Sequence, residues 1–423
     1  MNVFVIGSGG REHALVWKIR KSPLVKEIYC AKGNAGTSDI AINVDIAPED
    51  IIGLKNFARE KGIDLTVVGP EMPLSLGLAD EFTKSGLRIV GPVQGAAEIE
   101  SSKVFSKLIM REAGIPTAEF SVFEEFSEAE KFIMSKDSPL VIKADGLAQG
   151  KGVFPCLNKG EAIGAINAIM KEKLFGRAGS RVVIEEFLNG EEVSFMGITD
   201  GETFVPMATS QDHKRAFDND EGPNTGGMGA YSPARILSDE EQNQVIKNII
   251  YPLLNKLKEK GRPYRGFLYA GLMMVNGKPY VLEFNARLGD PETQPILLRM
   301  KSDIVPYLIG VSEGKLRNEP IIWDERFSIC VVMAAQGYPG SYKKGMEITG
   351  LELFRDREDI VVFNAGTEKR EDRIVTSGGR VLSVCALDTS PEKAITKVYD
   401  AVSQIHFDGA FYRRDIARRA ISR

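Results

Sequence analysis

The residues best suited to chemistry lie in one short run that ends a predicted strand, Glu283-Phe284-Asn285-Ala286-Arg287. Side chains alternate along a strand, so the Glu283 carboxylate and the Asn285 carboxamide point the same way. Two oxygen ligands on one face suit a hard divalent ion that also holds ATP phosphates. Arg287 follows at once and offers a rigid fork of donors to a carboxylate or a phosphate. A strand that merely ends in polar residues has the same local pattern, so other segments must decide between the two.

A glycine-rich loop follows another predicted strand and reads Lys143-Ala144-Asp145-Gly146-Leu147-Ala148-Gln149-Gly150-Lys151-Gly152. Its glycines let backbone N–H groups approach phosphate oxygens closely, and its two lysines add positive charge. The Walker A pattern fails, because Gly152 rather than Ser or Thr follows Lys151. We expect a phosphate-binding loop here, and a flexible hairpin turn is the alternative.

Two further polar segments favour a nucleotide and a small substrate. Glu185-Glu186-Phe187-Leu188 ends a predicted strand, whose edge can offer an N–H and a C=O to an adenine ring; a solvated acidic hairpin is the alternative. The stretch 211–231 is long and polar, with clustered cations in Gln211-Asp212-His213-Lys214-Arg215 and a glycine-rich run after them. Loops of this length in compact domains are usually functional or disordered, and the clustered charges favour function.

A glycine turn also opens the chain, in Gly7-Ser8-Gly9-Gly10-Arg11-Glu12-His13. The dinucleotide-binding pattern Gly-x-Gly-x-x-Gly fails here, because Glu12 replaces its third glycine. The second predicted strand ends in Ala31-Lys32-Gly33, without the acidic residue that a dinucleotide ribose needs. A glycine turn before a helix still suits a phosphate group, so we expect a phosphate site.

The elements that position these residues fall into three predicted units. Residues 1–100 alternate strand and helix signals, which predicts a Rossmann-like parallel sheet with crossover helices. Residues 101–325 begin with a helix that Ser102 caps, and Ser127 begins a predicted capping box. They also contain Asn276-Gly277, a strong hairpin signal between two strands. Residues 326–423 show short apolar runs between glycine-rich turns, which predicts a small α+β domain.

Composition excludes several classes of protein. The chain has 423 residues, of which 43% are hydrophobic and 26% charged, as in an ordinary soluble protein. Its net charge of −4 gives no broad basic field for nucleic acid, and no apolar run has membrane-spanning length. The four cysteines are far apart in sequence, which favours buried free thiols in a reducing cytoplasm. The three histidines are too scattered for a zinc cluster.

Taken in order, these segments resemble the glycinamide ribonucleotide synthetase family of ATP-grasp enzymes, which act in purine biosynthesis. The resemblance spans essentially the whole chain. Its two most specific runs, taken together, are Gly-Pro-Asn-Thr-Gly-Gly-Met-Gly-Ala at 222–230 and Arg-Leu-Gly-Asp-Pro-Glu-Thr-Gln at 287–294. The segments that carry it are 7–13, 33–36, 68–71, 143–153, 211–215, 222–231 and 287–295. It implies a central ATP-grasp fold with a small lid subdomain at about 120–190, and a monomer in the cytoplasm. It also implies the ligation of glycine to 5-phosphoribosylamine, with ATP and Mg²⁺ (or Mn²⁺), through a glycyl phosphate.

The resemblance also implies a role for each candidate residue. Lys103, Lys143 and the loop residues Gly146, Gly150, Lys151 and Gly152 would hold and cover the ATP phosphates. Glu185, Glu186, Phe187 and Leu188 would receive adenine, and Glu192 the ribose. Glu283 and Asn285 would bind the metal, and Arg287 would steady the transferring phosphate or the glycine carboxylate. Substrate contacts would come from Gly9, Gly10, Gly33 and Gly36, which would cradle the ribose phosphate, and from Asp290.

Two details go beyond that assignment. Glycine is a zwitterion, so its pocket needs an anion and a cation; Asp212 and Arg287 are the candidates, with Lys214 as an alternative cation. A second acidic metal ligand often lies on the partner strand in the wider superfamily. Here Ala270 and Leu272 are the expected facing residues, so no second acid is predicted there.

Three other functions remain open from the sequence. A different ATP-grasp ligase or a biotin carboxylase would handle bicarbonate, and the 211–231 stretch is not expected in either. A dehydrogenase is opposed by the missing third glycine. A non-catalytic nucleotide sensor would not need Glu283, Asn285, Arg287 and the lysines together.

Overall fold

The computed structural model describes residues 1–137, 139–148 and 152–421 of the chain. Residues 1–101 form a five-stranded parallel sheet of order β3-β2-β1-β4-β5 with helices on its faces, as predicted. The strands are apolar because helices cover both faces of such a sheet. The elements are β1 (Asn2–Gly7), α1 (Gly10–Arg20), β2 (Glu27–Lys32), β3 (Ile42–Val44), α2 (Ile51–Glu60), β4 (Leu65–Val68), α3 (Glu71–Ser75), α4 (Leu78–Lys84), β5 (Ile89–Val90) and α5 (Gln94–Ser101).

The turn between β1 and α1 is filled by a side chain of the protein itself. The Gly9 N–H donates to Glu12 Oε2 at 2.6 Å, so the carboxylate caps the start of the helix. A Cβ on Gly7 would lie 2.4 Å from Glu12 Cγ, and a Cβ on Gly69 would lie 2.1 Å from Glu12 Oε1. Glu12 therefore explains both the glycines here and the departure from the dinucleotide-binding pattern.

The next segment forms a helix and a small four-stranded sheet of order β6-β9-β7-β8. Ser102 caps α6, because its hydroxyl accepts from the Phe105 N–H at 3.1 Å, as predicted. The predicted capping box at Ser127 is wrong, since α7 already begins at Phe126 and Ser127 lies inside its first turn. The elements are α6 (Lys103–Glu112), β6 (Phe120–Phe123), α7 (Phe126–Ser135), β7 (Leu140–Ala144), β8 (Val153–Cys156), α8 (Lys159–Ile166), which continues as the π-helical turn Asn167–Lys171, and β9 (Val182–Glu186).

A second four-stranded sheet, of order β11-β10-β16-β17, carries the polar strand end. Asn276 and Gly277 join β16 to β17 with φ of 50° and 75°, which confirms the predicted hairpin. The elements are β10 (Glu191–Thr199), β11 (Phe204–Pro206), β12 (Gln211–Asp212), β13 (Arg215–Phe217), β14 (Glu221–Asn224), β15 (Gly229–Ser232), α9 (Asp239–Val245), α10 (Tyr251–Glu259), β16 (Gly266–Val275), β17 (Lys278–Asn285), α11 (Thr293–Arg299) and α12 (Val305–Glu313), with a π-helical turn Ile246–Ile250 joining α9 to α10.

The register of β16 and β17 corrects one expectation. Glu283 lies opposite Gly271 and Asn285 opposite Tyr269, whereas Ala270 and Leu272 pair with Phe284 and Val281. A bulge between Gly271 and Leu272 shifts the pairing, and a one-residue shift changes the face that a side chain occupies. The residues predicted to face the metal ligands were therefore wrong.

The last part of the chain builds an antiparallel sheet of order β12-β15-β18-β22-β19, with β23 also paired to β18. Two of its strands, β12 and β15, come from the middle of the chain, so this sheet joins distant segments. Ser390 caps α13 and Pro391 occupies its first turn, as the sequence predicts. The elements are β18 (Phe327–Ala335), β19 (Ile360–Asn364), β20 (Thr367–Arg370), β21 (Arg373–Thr376), β22 (Arg380–Asp388), α13 (Pro391–Val402) and β23 (Ala410–Phe411).

The cysteines behave as the sequence predicts. Cys30, Cys156, Cys330 and Cys385 are all buried and free. Across the described residues, no group of three or more His, Cys, Asp or Glu side chains has the arrangement of a metal site. In the same ranges, every helix is too short or too polar to span a membrane.

Candidate active site

One cavity of about 1420 Å³ gathers most of the predicted residues. It lies between the first parallel sheet, the small sheet of β6 to β9, the β16–β17 strands and the C-terminal sheet. The predicted residues that line it are Lys103, Lys143, Gly146, Gly152, Glu185, Glu186, Phe187, Leu188, Glu192, Asp212, Lys214, Glu283, Asn285, Arg287 and Asp290. Gly150 and Lys151 lie outside the described residues, and the role of each lining residue stays a prediction.

The strand end of β17 points Glu283 and Asn285 into this cavity. Burial alone would raise the pKa of Glu283, but the positive charges of Lys103, Lys214 and Lys143 outweigh it and lower that pKa to about 2. Glu283 is therefore ionised at neutral pH. A carboxylate and an amide oxygen two residues apart have the chemistry of a hard-cation site.

Lys103 reaches the cavity from the first turn of α6, and the glycine loop is tied to the same turn. Asp145 in that loop accepts from the Ser102 hydroxyl at 2.9 Å and from the Val104 N–H at 3.1 Å. Its second oxygen accepts from Arg181 Nε at 2.9 Å. The loop and the helix that presents Lys103 therefore share one buried carboxylate.

Lys143 and Glu185 form a buried ionic cluster with a lysine that the sequence did not assign. Glu185 Oε1 lies 2.8 Å from Lys143 Nζ, and Glu185 Oε2 lies 2.8 Å from Lys107 Nζ. Lys143 also donates to the Leu282 carbonyl at 3.0 Å. The Glu185 side chain thus holds two lysines, and the adenine contacts predicted for Glu185, Glu186, Phe187 and Leu188 stay a prediction.

Asp212, Lys214 and Glu192 form a charged group opposite the glycine loop. Lys214 makes an ion pair with Glu192, the residue predicted for the ribose. Burial raises the pKa of Asp212 to about 7, although Lys214 lowers it. Burial would lower the pKa of Lys214, but Glu192 and Asp212 raise it well above its usual value, so Lys214 remains a cation.

Arg287 enters the cavity between two carboxylates. Its Nη2 lies 2.8 Å from Glu100 Oε1, and its Nε lies 3.5 Å from Glu71 Oε2. Glu100 also accepts from the Ala286 N–H at 2.7 Å, so it fixes both the side chain and the backbone at this point. Arg287 is therefore held in one orientation before any substrate arrives.

Several lining residues were missed by the sequence reasoning. Glu292 is 3% exposed and accepts from the Tyr269 hydroxyl at 2.8 Å and the Ser194 hydroxyl at 3.2 Å. Arg380 Nη1 donates to the Asp290 carbonyl at 2.6 Å, and Arg11 also lines the cavity. Glu292 stands inside a run that carries the family resemblance, so its position was visible, but nothing in a linear pattern shows which acids converge.

The four glycines predicted for the ribose phosphate lie against side chains of the protein itself. A Cβ on Gly10 would meet Gln294 Nε2 at 2.6 Å, one on Gly33 would meet Asn43 at 2.2 Å, and one on Gly36 would meet His13 at 2.2 Å. Gly9 donates to Glu12, as described above. None of the four belongs to the described lining of the cavity. Their assignment to the ribose phosphate stays a prediction, with packing as an alternative explanation.

The arrangement defines a class of protein. In the wall of this cavity, the sheet of β6 to β9 carries the glycine loop and the sheet of β16 and β17 ends in Glu-x-Asn, an arrangement that matches the ATP-grasp fold. A biotin carboxylase from Campylobacter jejuni, solved with β,γ-ATP, has the same fold, with a TM-score of 0.74 at 15% identity, covering 100% of this chain and 94% of that one.

The family follows from closer matches. Profiles described as phosphoribosylglycinamide synthetase N domain, ATP-grasp (A) domain and C domain match residues 1–100, 101–293 and 328–419. The chain belongs to this family. Phosphoribosylamine–glycine ligases from Vibrio vulnificus CMCP6 and Escherichia coli O157:H7 are each 51% identical, covering 100% of this chain and 99% of theirs. The crystal structure of the Thermotoga maritima phosphoribosylamine–glycine ligase matches with a TM-score of 0.86 at 36% identity, covering 98% of this chain and 100% of that one.

Proposed function

We propose that the protein joins glycine to 5-phosphoribosylamine with ATP, giving glycinamide ribonucleotide, ADP and phosphate, in purine biosynthesis. The observation that carries the proposal is the convergence of an ionised carboxylate at Glu283, lysines at 103 and 143, and a separate charged group at Asp212 and Lys214 in one cavity. Full-length relatives at 51% identity bear the name of this ligase, which supports the same substrates.

The reaction needs two steps. A glycine carboxylate oxygen attacks the γ-phosphorus of ATP and ADP leaves, which makes a glycyl phosphate. The amine nitrogen of phosphoribosylamine then attacks the carbonyl carbon, phosphate leaves, and the amine loses a proton. An acyl phosphate hydrolyses in water, so the cavity must close over it. The loop that contains Gly146 and Gly152 is the proposed cover.

The chain's own charges divide the work of binding. Lys103 and Lys143 would contact the ATP phosphates, and Glu185, Glu186, Phe187 and Leu188 would receive the adenine, with Glu192 at the ribose. Asp212 would pair with the glycine ammonium, which keeps that amine protonated and unable to act as a nucleophile. Arg287, held by Glu100, would steady the glycine carboxylate or the transferring phosphate, and Asp290 would contact the ribosylamine.

A divalent ion, Mg²⁺ or Mn²⁺, fits the residues present. Glu283 is ionised and Asn285 supplies a neutral oxygen on the same face. Such ions are usually bound by one or two protein oxygens together with substrate phosphates, so two protein ligands suffice. When bound, the ion would neutralise charge on the phosphates during transfer.

We propose three further features on the same basis. The division of the chain would be 1–100, 101–325 with a lid at about 120–190, and 326–423; the small sheet that contains β6 to β9 supports the lid. The protein would act as a monomer in the cytoplasm. Its partners would be small molecules, without nucleic acid or membrane.

Measuring ADP release tests the proposal. Release should require both glycine and phosphoribosylamine, and product should match ADP one to one. Release that instead depends on bicarbonate would favour a carboxylase, the runner-up that the shared fold with biotin carboxylases supports. ATP binding without turnover under any of these conditions would favour a nucleotide sensor.

A further inference from the structure

His213 lies between the two residues assigned above to glycine, and its side chain points away from them. Side chains alternate along an extended segment, and here Asp212 and Lys214 line the cavity whereas His213 is 2% exposed. His213 Nε2 accepts a hydrogen bond from the Ala417 N–H at 3.3 Å. Ala417, near the C-terminus, therefore holds the His213 side chain on the side away from the cavity. This orientation directs the neighbouring Asp212 and Lys214 side chains into the cavity.

His213 is suited to accept this bond. Burial, together with the neighbouring charges of Arg413 and Arg419, lowers its pKa to about 4, so the imidazole is neutral and keeps one acceptor nitrogen. Its backbone is also paired, since its N–H donates to the Gly229 carbonyl at 2.9 Å and its carbonyl accepts from the Met228 N–H at 2.8 Å.

The hairpin β13–β14, which follows Lys214 at once, is held by the same C-terminal segment. Arg413 is 1% exposed, and its Nη1 donates to the Arg215 carbonyl at 3.1 Å and to Asp220 Oδ1 at 2.9 Å. Asp415 binds the other edge of the guanidinium through contacts of 2.8 and 2.7 Å. The arginine thus joins the tail to both the base and the tip of the hairpin.

Backbone contacts repeat the connection. The Asn219 N–H donates to Asp415 Oδ2 at 2.9 Å, and the Arg414 N–H donates to Asp218 Oδ1 at 2.7 Å. Arg419 makes an ion pair with Asp220. A planar arginine fork with carboxylates on two sides permits little rotation, so the hairpin has few alternative positions.

We propose that residues 413–420 form a clamp that positions Asp212 and Lys214 for glycine, with Arg413 and His213 as positioning residues. This inference rests on the proposed function. Neither Arg413 nor His213 belongs to the described lining of the cavity, so any effect of either on glycine must act through other residues. The nucleotide contacts at Lys103 and Lys143 lie on elements that the clamp does not touch.

The first experiment compares Arg413→Met with Arg414→Met in the full-length enzyme. Arg414 is adjacent, its side chain is exposed, and only its backbone N–H, which the substitution keeps, takes part in the clamp, so it is the matched control. The glycine KM of Arg413→Met should rise by at least about tenfold, as expected when misplacement of a binding group weakens a productive geometry. Its ATP KM should rise much less than its glycine KM, because Lys103 and Lys143 keep their positions although Lys214 also pairs with Glu192. Arg414→Met should change neither constant by more than about twofold.

A second pair covers the case in which Arg413→Met does not fold, and it tests the other positioning residue. His213→Leu removes the acceptor for the Ala417 N–H, whereas His213→Gln keeps an oxygen near the position of Nε2. The glycine KM should rise for His213→Leu, which leaves the Ala417 N–H without its acceptor. It should stay within about threefold of the wild-type value for His213→Gln, because that side chain can still accept the hydrogen bond. A merely structural role would not produce a rescue confined to glycine.

The outcomes separate this inference from the function on which it rests. A wild-type enzyme without glycine-dependent ADP release overturns the proposed function. A wild-type enzyme with that activity, whose Arg413 and His213 variants leave the glycine KM unchanged or raise the glycine and ATP KM values together, overturns the clamp alone. A selective rise for Arg413→Met and His213→Leu supports it.

Discussion

At the end of β17, Glu283 keeps its negative charge although it is buried, because the charges of three lysines lower its pKa. The same arrangement would leave excess positive charge if the carboxylate were neutralised. This balance makes Glu283 the residue at which a single change of charge is most informative.

Glu283→Gln keeps the size of the side chain and removes the charge that would hold the metal. Turnover should fall by at least about tenfold, since charge neutralisation by a bound ion contributes several kcal/mol to such reactions. The measurement is ADP release over a range of Mg²⁺ concentrations. Glu240→Gln, an exposed change at the start of α9, is the control. Full activity at ordinary Mg²⁺ would exclude Glu283 from metal binding.

Asp212→Asn tests the assignment of the glycine ammonium. Removing one partner of a desolvated charge pair costs roughly 2–5 kcal/mol, so the glycine KM should rise steeply while the ATP KM stays nearly constant. Initial rates at varied glycine and varied ATP measure both, with Asp239→Asn, an exposed aspartate, as the control. A parallel loss of ATP affinity would move Asp212 to the phosphate site.

At the scale of elements, the glycine loop and α6 act as one unit because Asp145 is bound to both. The loop must therefore close with the helix that carries Lys103 or bend at the glycines that follow the tie, among them Gly146 and Gly152. Gly152, which ends the loop, is the hinge position that a substitution can test.

Gly152→Val should lower turnover and uncouple ATP hydrolysis from product. A Cβ at this position would lie 2.7 Å from the Cβ of Ala148, so the loop must shift, and water would then reach the acyl phosphate. The readout is the ratio of product to ADP. Gly164→Ala in α8, where a Cβ meets nothing within 4 Å, is the control. A slower enzyme that still makes one product per ADP would show that the loop governs speed and not protection.

The elements were also where sequence reasoning succeeded and failed in instructive ways. Asn276-Gly277 and Ser102 were predicted correctly because hairpin turns and helix caps depend on local backbone chemistry. Ala270 and Leu272 were misplaced because the register shift between β16 and β17 depends on tertiary pairing. The Glu185 side chain likewise holds Lys107 and Lys143, contacts that join three separate elements and leave no pattern in any one of them.

At the scale of the whole molecule, buried histidines connect distant parts of the chain. His13 in α1 accepts from the Asn364 N–H at 2.8 Å, and burial lowers its pKa to about 4 from 6.5 although that hydrogen bond raises it. The unfolded chain therefore binds a proton between these values that the folded chain does not. The contribution of His13 to stability is present above pH 6.5 and is lost as the pH falls through that window towards 4.

His13→Asn keeps an acceptor for the Asn364 N–H and cannot take up the proton. The wild-type free energy of unfolding should fall by up to about 3 kcal/mol more than that of the variant between pH 7 and pH 4, at 1.36 kcal/mol per pKa unit. Denaturant melts at both pH values measure the difference. His406→Asn, an exposed change, is the control. Identical pH slopes for the wild type and His13→Asn would contradict the lowered pKa.

The sheet that takes β12 and β15 from the middle of the chain has a consequence during synthesis. These strands flank Lys214, but β15 pairs with β18, and the residues that hold His213 and Arg215 are among the last to be made. At about 5–20 residues per second, a ribosome would expose the strands proposed to bind the nucleotide well before the segment proposed to bind glycine can fold. A nascent or truncated chain should therefore bind ATP without being able to transfer its phosphate to glycine. Only the finished molecule would couple ATP consumption to product.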